Sequence, residues 1–248
     1  MKKPLIILTG PTAVGKTKLS ISLAKAVNGA IISADSMQVY RHMDIGSAKI
    51  RPEEMCGVPH YLIDVLDPSE EFHVVKFVEL AHEAMEKIYA AGQIPIVTGG
   101  TGFYIQALLK EVDFTESHGE LPIRKQLEEK AATEEGAAEL YRELSEVDPA
   151  SAETIHPNNV KRVIRALEYY HETGQKISEH NEEQKQKESP YCSAYFVLND
   201  ERSILYDRID RRVDQMIRDG LVEEVFRLKE MGYTRDLVSM QGLGYKEL

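Results

Sequence analysis

The sequence predicts an α/β fold, a P-loop-type parallel sheet flanked by helices, with an inserted all-helical subdomain. Three observations lead to this prediction. Apolar runs alternate with helical patterns near the N-terminus, a glycine-rich motif follows the first run, and strand patterns are missing between about residues 120 and 188. We therefore expect a first core segment at 1–115, a helical insertion at 116–190 and a second core segment at 191–248.

Five apolar runs predict the strands of the sheet. The first, residues 4–9, is continuous and bounded by Gly10-Pro11, which is typical of a strand buried on both faces. Parallel pairing is favoured because helical patterns separate most of the runs. The segment 178–189 is almost wholly polar and is interpreted as a linker or mobile loop. The other predicted strands cover residues 30–34, 61–66, 94–97 and 192–198, and the core helices begin at Lys16 and cover 74–91, 103–109, 202–219 and 222–231.

The composition excludes several classes of protein. The 248 residues are 42% hydrophobic and 29% charged, so the chain can bury a core and is not a disordered tail. Cys56 and Cys192 provide neither a disulfide scaffold nor a zinc site, which favours a reducing cytoplasm. The first apolar run is too short for a signal peptide or a membrane span. A net charge of −11 argues mildly against nonspecific nucleic-acid binding, although a local basic stripe can override it.

The segment between the first strand and the first helix matches the pattern GxxxxGK[ST]. Glycines in such a loop let backbone amides point inward around an anion, and the N-terminus of the helix is aimed at the same place. The lysine adds a point charge, and the threonine hydroxyl is suited to Mg²⁺. A chance glycine-rich turn is the alternative, but the flanking strand and helix favour an anion site. Diphosphate or nucleotide binding is therefore predicted for Gly10, Pro11, Thr12, Ala13, Val14, Gly15, Lys16 and Thr17.

Two further strand ends are predicted to face the same crevice, because ligands bind beyond the carboxyl ends of parallel strands. Asp35 ends one strand, where a carboxylate beside phosphates would take a proton or hold a metal. Gln38 offers an amide of the kind that pairs with an adenine edge. The glycines of 98–104 allow close backbone approach to a ligand. An Asp-Ser turn and an ordinary glycine-rich turn are the alternative interpretations.

Together these motifs resemble those of the tRNA dimethylallyltransferase (tRNA isopentenyltransferase) family. The resemblance spans essentially the whole chain, and the joint pattern is far more specific than the phosphate loop alone. It implies transfer of a dimethylallyl group from dimethylallyl diphosphate to the N6 amine of the adenosine 3′ to the anticodon, in tRNAs that read codons beginning with U. The matching segments are GPTAVGKT at 10–17, DSMQVY at 35–40, TGGTGFY at 98–104, HPNNVKRVIRALE at 156–168, LYDRIDRRVDQMIRDGLVEEV at 205–225 and GLGYKEL at 242–248.

The resemblance also implies roles for individual residues. Asp35 corresponds to the catalytic base, Thr101 lies beside the bridging oxygen of the diphosphate, and Arg212 reaches the diphosphate. The cofactor is Mg²⁺, held with the help of Thr17 and Thr101. The tRNA contacts implied are Ser36, Met37, Gln38, Arg124, Lys161, Arg162, Val163, Ile164 and Arg165.

A helix is predicted after Asn158 or Asn159, either of which can cap it. Its apolar face would be Val160, Val163, Ile164 and Leu167, while its basic residues fall together by i+3 and i+4 spacing. In the family this stripe matches a tRNA-contacting segment. The alternative is a solvated face paired with nearby glutamates, which composition alone favours.

Three other functions compete with prenyl transfer to tRNA. A nucleotide kinase or NTPase would use the same phosphate loop, and a related prenyltransferase would act on free adenylate. A non-catalytic RNA-binding module is disfavoured, because it would leave the phosphate loop without a purpose. We expect a cytoplasmic monomer that binds tRNA and dimethylallyl diphosphate and no membrane.

Overall fold

The computed structural model describes residues 2–112 and 121–248. The chain forms two compact units, one of Met1–Glu111 with Ser189–Leu248 and the other of Val112–Glu188. The predicted boundary between residues 115 and 116 lies outside the described residues. In the described part, no helix is both long enough and apolar enough to cross a lipid bilayer.

The first unit contains a five-stranded sheet in which every paired strand is parallel, in the order β3-β2-β4-β1-β5. Thr9 lies opposite both Gly99 and Val197, so the central strands end at the same edge. The predicted parallel α/β fold is therefore confirmed. The strands are β1 (Lys3–Thr9), β2 (Gly29–Ser33), β3 (His60–Tyr61), β4 (Ile94–Gly99) and β5 (Tyr191–Val197).

Helices surround this sheet and make up nearly all regular structure of the second unit. In chain order they are α1 (Lys16–Val27), α2 (Val74–Ala90), α3 (Gly102–Lys110), α4 (Leu121–Lys130), α5 (Glu134–Val147), α6 (Pro149–Thr154), α7 (Val160–Thr173), α8 (Ile177–Gln186), α9 (Arg202–Arg218) and α10 (Leu221–Glu230), followed by a 3₁₀ turn at Ser239–Gln241.

The sheet buries different side chains on its two faces, since successive residues of a strand alternate. Ile7, Ile32 and Val97 belong to the larger cluster, which includes residues of α2, α3 and α10. Ile31 and Ile96 belong to a smaller cluster with residues of α1. Each fully buried aliphatic side chain contributes roughly 1.5–3 kcal/mol, so both clusters hold the edge of the sheet, and the loops that follow it, in place.

The second unit has its own core, built from α4, α5, α6 and α7. Its fully buried side chains include Leu140, Leu144, Val163 and Leu167. The apolar face predicted for the helix after Asn159 is therefore confirmed. Asn159 is at the N-cap position, but its side chain makes no capping hydrogen bond.

Two sequence predictions about secondary structure are wrong. Of the predicted strand 61–66, only Tyr61 pairs with β2, together with the preceding residue His60. Leu62 and Asp64 adopt positive φ angles, which turn the chain out of the sheet. The polar segment 178–189 is largely helical, in α8. Its second amide, Ser178 N–H, donates to the Asp148 carboxylate over 3.0 Å, so the cap comes from a residue far away in the sequence.

Candidate active site

The phosphate loop connects β1 to α1 with an unusual backbone. Gly10, Ala13 and Gly15 have φ angles of 152°, 64° and 96°. Alternation of left-handed and ordinary conformations turns successive N–H groups toward one side, which is an anion-binding nest at the N-terminus of α1. Lys16 Nζ donates to the carbonyls of Gly10 and Pro11, at 2.8 Å each, and is thereby held over the loop.

Asp35 follows β2 and forms a turn at the carboxyl edge of the sheet. Its Oδ1 accepts hydrogen bonds from Met37 N–H at 2.8 Å and Gln38 N–H at 3.3 Å. The neighbouring strand end approaches closely, because a Cβ at Gly99 would overlap the backbone carbonyl of Ala34. Glycine at this position therefore allows β4 to end beside Asp35.

The phosphate loop and Asp35 line one cavity of about 970 Å³, the outer cavity. Lys16 and Thr17 contribute from the start of α1, while Asp35 and Gln38 contribute from the end of β2. Arg212 of α9 lines the same cavity. Lys16 and Thr17, predicted for phosphate binding, and Asp35, predicted for proton transfer, therefore line the same cavity.

The charges in this cavity influence one another. Burial lowers the pKa of Lys16; the Asp35 carboxylate raises it, and the Arg212 guanidinium lowers it further. Burial also lowers the pKa of Arg212, and Asp35 again opposes this effect. Two half-buried cations beside one carboxylate leave a net positive site, which suits a polyanionic ligand.

Helix α9 brings Arg212 to the site and is anchored to the phosphate loop. Arg208, one turn earlier, forms an ion pair with Asp200 at 2.9 Å and contacts the Ala13 carbonyl at 3.5 Å. Arg208 and Arg212 share a face of the helix by their i, i+4 spacing. The ion pair of Arg208 with Asp200 is an ordinary role for a partly exposed arginine.

Not every predicted site residue lines the cavity. Thr12, Ala13 and Gly15 do, whereas the half-buried Met37 packs against the larger core cluster. The Gln38 amide is already engaged, since it accepts from Ser33 Oγ and donates to the carbonyls of Ser47 and Ala48. The remaining predicted residues, Gly10, Pro11, Val14, Ser36 and Thr101, lie in the same loops without lining the outer cavity.

The predicted basic stripe lies on α7 in the second unit. Lys161 and Arg162 are exposed and form no ion pair with the residues that the structure describes. Arg165 differs, because it pairs at 3.0 Å with Glu168, whose side chain is 1% exposed. Arg124 of α4 also approaches Glu168, at 3.8 Å. The buried Glu168 carboxylate thus lies beside two of the arginines and forms the shorter ion pair with Arg165, while Arg124 Nε donates to Glu128 at 3.1 Å.

Val163 and Ile164 were predicted to contact tRNA, and the structure contradicts direct contact by their side chains. They are 1% and 5% exposed and belong to the apolar core of the second unit. Their contribution is to hold α7 in place. Helical periodicity had already put both on the apolar face, which is the more reliable guide.

Sequence reasoning missed Glu224, which supports the wall of the cavity. This buried carboxylate on α10 accepts hydrogen bonds from the backbone N–H groups of Asp44, Ile45 and Gly46 at 2.9–3.1 Å, and from Tyr245 Oη at 2.7 Å. Residues of the loop 44–51 line the outer cavity. The sequence did contain a sign of this role, because Glu224 lies among the apolar residues on the buried face of α10. A buried carboxylate there needs several hydrogen-bond donors around it.

The donor set for a metal is small. No group of three or more His, Cys, Asp or Glu side chains with metal-binding geometry occurs among residues 2–112 and 121–248. Thr17 is exposed at the start of α1 and lines the cavity together with Asp35. This fits Mg²⁺, which keeps several waters and is usually held by one or two protein oxygens plus substrate phosphates.

Comparison with known proteins agrees with this geometry. The IPP transferase family model matches residues 38–248. A tRNA dimethylallyltransferase of Lachnoclostridium phytofermentans is 66% identical over 246 residues, covering 99% of this chain and 78% of the relative.

Solved structures are also similar. The full-length tRNA isopentenylpyrophosphate transferase of Bacillus halodurans is 46% identical, with a TM-score of 0.70, covering 100% of this chain and 76% of that one. A eukaryotic dimethylallyltransferase acting on tRNA is 34% identical, with a TM-score of 0.82, covering 99% of this chain and 62% of that one. The resemblance inferred from the sequence is confirmed, and the chain belongs to the IPP transferase family.

Proposed function

We propose that this protein transfers a dimethylallyl group from dimethylallyl diphosphate to the N6 amine of the adenosine 3′ to the anticodon in tRNA. The observation that carries the proposal is the shared cavity, where a phosphate nest with Lys16 and Arg212 lies beside the carboxylate of Asp35. An allylic diphosphate and a weakly nucleophilic amine need these two kinds of group together.

The cationic side of the site binds the leaving group. As the allylic C–O bond breaks, negative charge develops on the departing diphosphate and positive charge on the C5 unit. Backbone N–H groups of the loop, Lys16 and Arg212 hold that negative charge in a fixed arrangement, so little reorganisation is required during the reaction. Thr101 is the N-cap residue of α3, and its N–H donates to the carbonyl of Ala34, the neighbour of Asp35. Thr101 is proposed to contact the bridging oxygen.

Asp35 acts on the incoming amine. The N6 nitrogen forms the new C–N bond and loses one proton, which the Asp35 carboxylate accepts. General-base assistance of this kind contributes about 10²–10⁴-fold to a rate. The two backbone N–H groups that bond to Asp35 Oδ1 orient the carboxylate.

Thr17, with Thr101 and the diphosphate oxygens, is proposed to hold Mg²⁺, which would neutralise part of the charge on the leaving group. Lys161 and Arg162 are proposed to contact tRNA phosphates, with Arg165 and Arg124 beside Glu168. Ser36, Met37 and Gln38 are proposed to lie beside the adenosine. We propose that the protein works as a monomer.

The deciding experiment incubates the full chain with dimethylallyl diphosphate, Mg²⁺ and unmodified tRNA, and then determines the masses of the nucleosides. The expected result is one C5 unit added to an adenosine, with release of pyrophosphate. Controls omit either substrate, and a further control supplies free AMP in place of tRNA. Turnover of ATP without RNA, or prenylation of AMP alone, would contradict the proposal.

A further inference from the structure

The outer cavity extends beyond the groups that the proposed chemistry uses. Its volume is about 970 Å³, and Lys16, Asp35 and Arg212 account for only part of its lining. Much of the rest comes from α1 and from residues between 44 and 56. A ligand of the phosphate loop can therefore meet other protein groups in the same cavity before it reaches the loop.

One wall of the cavity is a face of α1 that carries two lysines. Lys18 and Lys25 are seven residues apart, which is close to two helical turns, so both side chains leave the helix on the same side. Ile21 and Ser22, which lie between them on this face, line the cavity as well. The helical rise places the two lysines about 10 Å apart along the axis, and the nearer one follows Lys16 by two residues. Lys18 and Lys25 form what we call the lysine track, which leads along α1 to the phosphate loop.

The charges of the lysine track are not paired with carboxylates. Lys18 and Lys25 are exposed and form no ion pair with residues 2–112 and 121–248. Other cations of the cavity wall differ in this respect, because Lys49 pairs with two aspartates and Arg51 lies 4.0 Å from Asp219. The track therefore supplies positive charge that a ligand can use.

The balance of charge in the outer cavity is opposite to that of the whole chain. Of the described residues that line it, six carry a positive charge and four a negative charge, which leaves a net charge of +2. Without Lys18 and Lys25 the lining would be neutral. The chain as a whole has a net charge of −11. A positive cleft in a negative protein focuses the electric field and raises the local concentration of anionic ligands.

Resting on the proposed function, we infer that the lysine track is an entry route for phosphate groups, which attracts the free diphosphate of the allylic substrate and guides it along α1 to the phosphate loop. RNA phosphates are the other source of the same chemistry. A free diphosphate is favoured, because the track lines the same cavity as the loop and begins on the same helix, two residues after Lys16. The two lysines act over a distance and are positioning residues.

The range of this attraction determines how it should depend on salt. A diphosphate carries about two to three negative charges at neutral pH. At about 10 Å through water, its attraction to two lysines corresponds to about a 5- to 10-fold gain in affinity at about 20 mM salt, where the Debye length is roughly 20 Å. At about 0.5 M salt the Debye length falls to roughly 4 Å, and the gain falls below about twofold.

The experiment measures the Kd of inorganic pyrophosphate for the full chain by calorimetry, without Mg²⁺, at these two salt concentrations. Lys18→Gln/Lys25→Gln should raise the Kd about 5- to 10-fold at the lower concentration and less than about twofold at the higher one. Lys18→Arg/Lys25→Arg, which keeps both charges, should match wild type. The matched control is Lys76→Gln/Lys87→Gln, which removes two charges from α2, on the other face of the sheet and outside the cavity lining, and should change the Kd less than about twofold.

Two further measurements relate the track to the reaction and separate the two sources of phosphate. At about 20 mM salt, Lys18→Gln/Lys25→Gln should lower kcat/KM for dimethylallyl diphosphate, while kcat stays within about twofold of wild type because the track does not touch the reacting groups. The salt dependence of tRNA binding should stay that of wild type.

Three results would overturn the inference. These are an unchanged Kd for pyrophosphate at low salt, an equal rise of the Kd at both salt concentrations, and a weaker salt dependence of tRNA binding with wild-type affinity for pyrophosphate, which would assign the track to RNA. Each of them would leave the proposed function intact as long as wild type transfers the C5 unit to tRNA. Absence of that transfer in wild type would overturn the proposed function, whatever the Kd for pyrophosphate.

Discussion

Asp35 is bound to its own turn through one carboxylate oxygen, and this allows its chemistry to be separated from its structural role. An asparagine can keep the oxygen that accepts from Met37 and Gln38 N–H while losing the ability to take a proton. We therefore expect Asp35→Asn and Asp35→Ala both to lower kcat by about 10²–10⁴-fold. The measurement is single-turnover transfer of the C5 unit to tRNA.

The same substitution should not weaken the binding of pyrophosphate, although it lowers kcat. The Asp35 carboxylate is a negative charge beside Lys16 and Arg212, whose pKa values it raises. Its removal makes the site more positive, so inhibition by pyrophosphate should be unchanged or tighter. Asp35→Asn with a wild-type rate would exclude Asp35 as the base, and a large loss of pyrophosphate affinity would instead indicate a disrupted loop.

At the scale of elements, Glu224 ties α10 and the segment around Tyr245 to the loop 44–46 that leads into the cavity wall. Burial raises the pKa of Tyr245, and the Glu224 charge adds to the effect, so the phenol stays a donor. Glu224→Gln should lower the free energy of unfolding by roughly 2–3 kcal/mol and Tyr245→Phe by about 1 kcal/mol, measured by urea denaturation. The exposed neighbour provides the control, since Glu223→Gln should change stability by less than about 0.5 kcal/mol. Equal effects of Glu224→Gln and Glu223→Gln on the free energy of unfolding would show that the hydrogen bonds of Glu224 do not stabilise the fold.

A second buried carboxylate predicts an acid-sensitive element in the helical unit. Burial acts to raise the pKa of Asp148, but hydrogen bonds from Ser151 and Ser178 outweigh it and hold the pKa below its usual value. Because the folded-state pKa is the lower one, this stability is complete above about pH 4 and is lost as the pH falls through the folded-state value.

Asp148→Asn should accordingly destabilise the protein by roughly 2 kcal/mol at pH 7, because a charge-assisted network becomes neutral. The difference from wild type should narrow as the pH falls below about 4. Urea denaturation of both proteins at several pH values measures it. A difference independent of pH would show that the carboxylate charge is irrelevant to the network.

The features that could be predicted from the sequence are those encoded by residues that are neighbours along the chain. The phosphate loop, Asp35 and the apolar face of α7 are encoded within a few neighbouring residues, and local pattern was sufficient for them. The cap of α8 is Asp148, 30 residues before Ser178, and the backbone partners of Glu224 at residues 44–46 are about 180 residues away along the chain, so no local window contains them. Val163 and Ile164 show the converse error, because a motif suggested contact where helical periodicity already indicated burial.

For the whole molecule, a net charge of −11 has to be reconciled with binding of tRNA. Contacts to RNA phosphates depend on cations near the contact and not on the net charge of the protein. Each contact between a protein cation and a phosphate adds about 0.7–0.9 to the magnitude of the slope of log K against log salt, so the loss of one contact reduces the slope by that amount. Lys161 and Arg162 are exposed and form no ion pair with the described residues, whereas Arg165 is shared with Glu168. We therefore expect Lys161→Gln/Arg162→Gln to weaken tRNA binding and to reduce the magnitude of the slope by about 1.4–1.8, and Arg165→Gln to reduce it by less than about 0.7.

The matched control removes two charges from the same helical unit outside the stripe. Lys176 and Lys185 each pair with a glutamate on α8, at 3.1 and 3.2 Å, so Lys176→Gln/Lys185→Gln changes the net charge as much as the stripe variant does. If net charge governed binding, both double variants would lose affinity equally. If the stripe makes the contacts, only Lys161→Gln/Arg162→Gln changes the salt slope. Filter binding of unmodified tRNA between about 50 and 200 mM salt separates these two results, because the expected difference in slope corresponds to about a 7- to 12-fold change in affinity over that range.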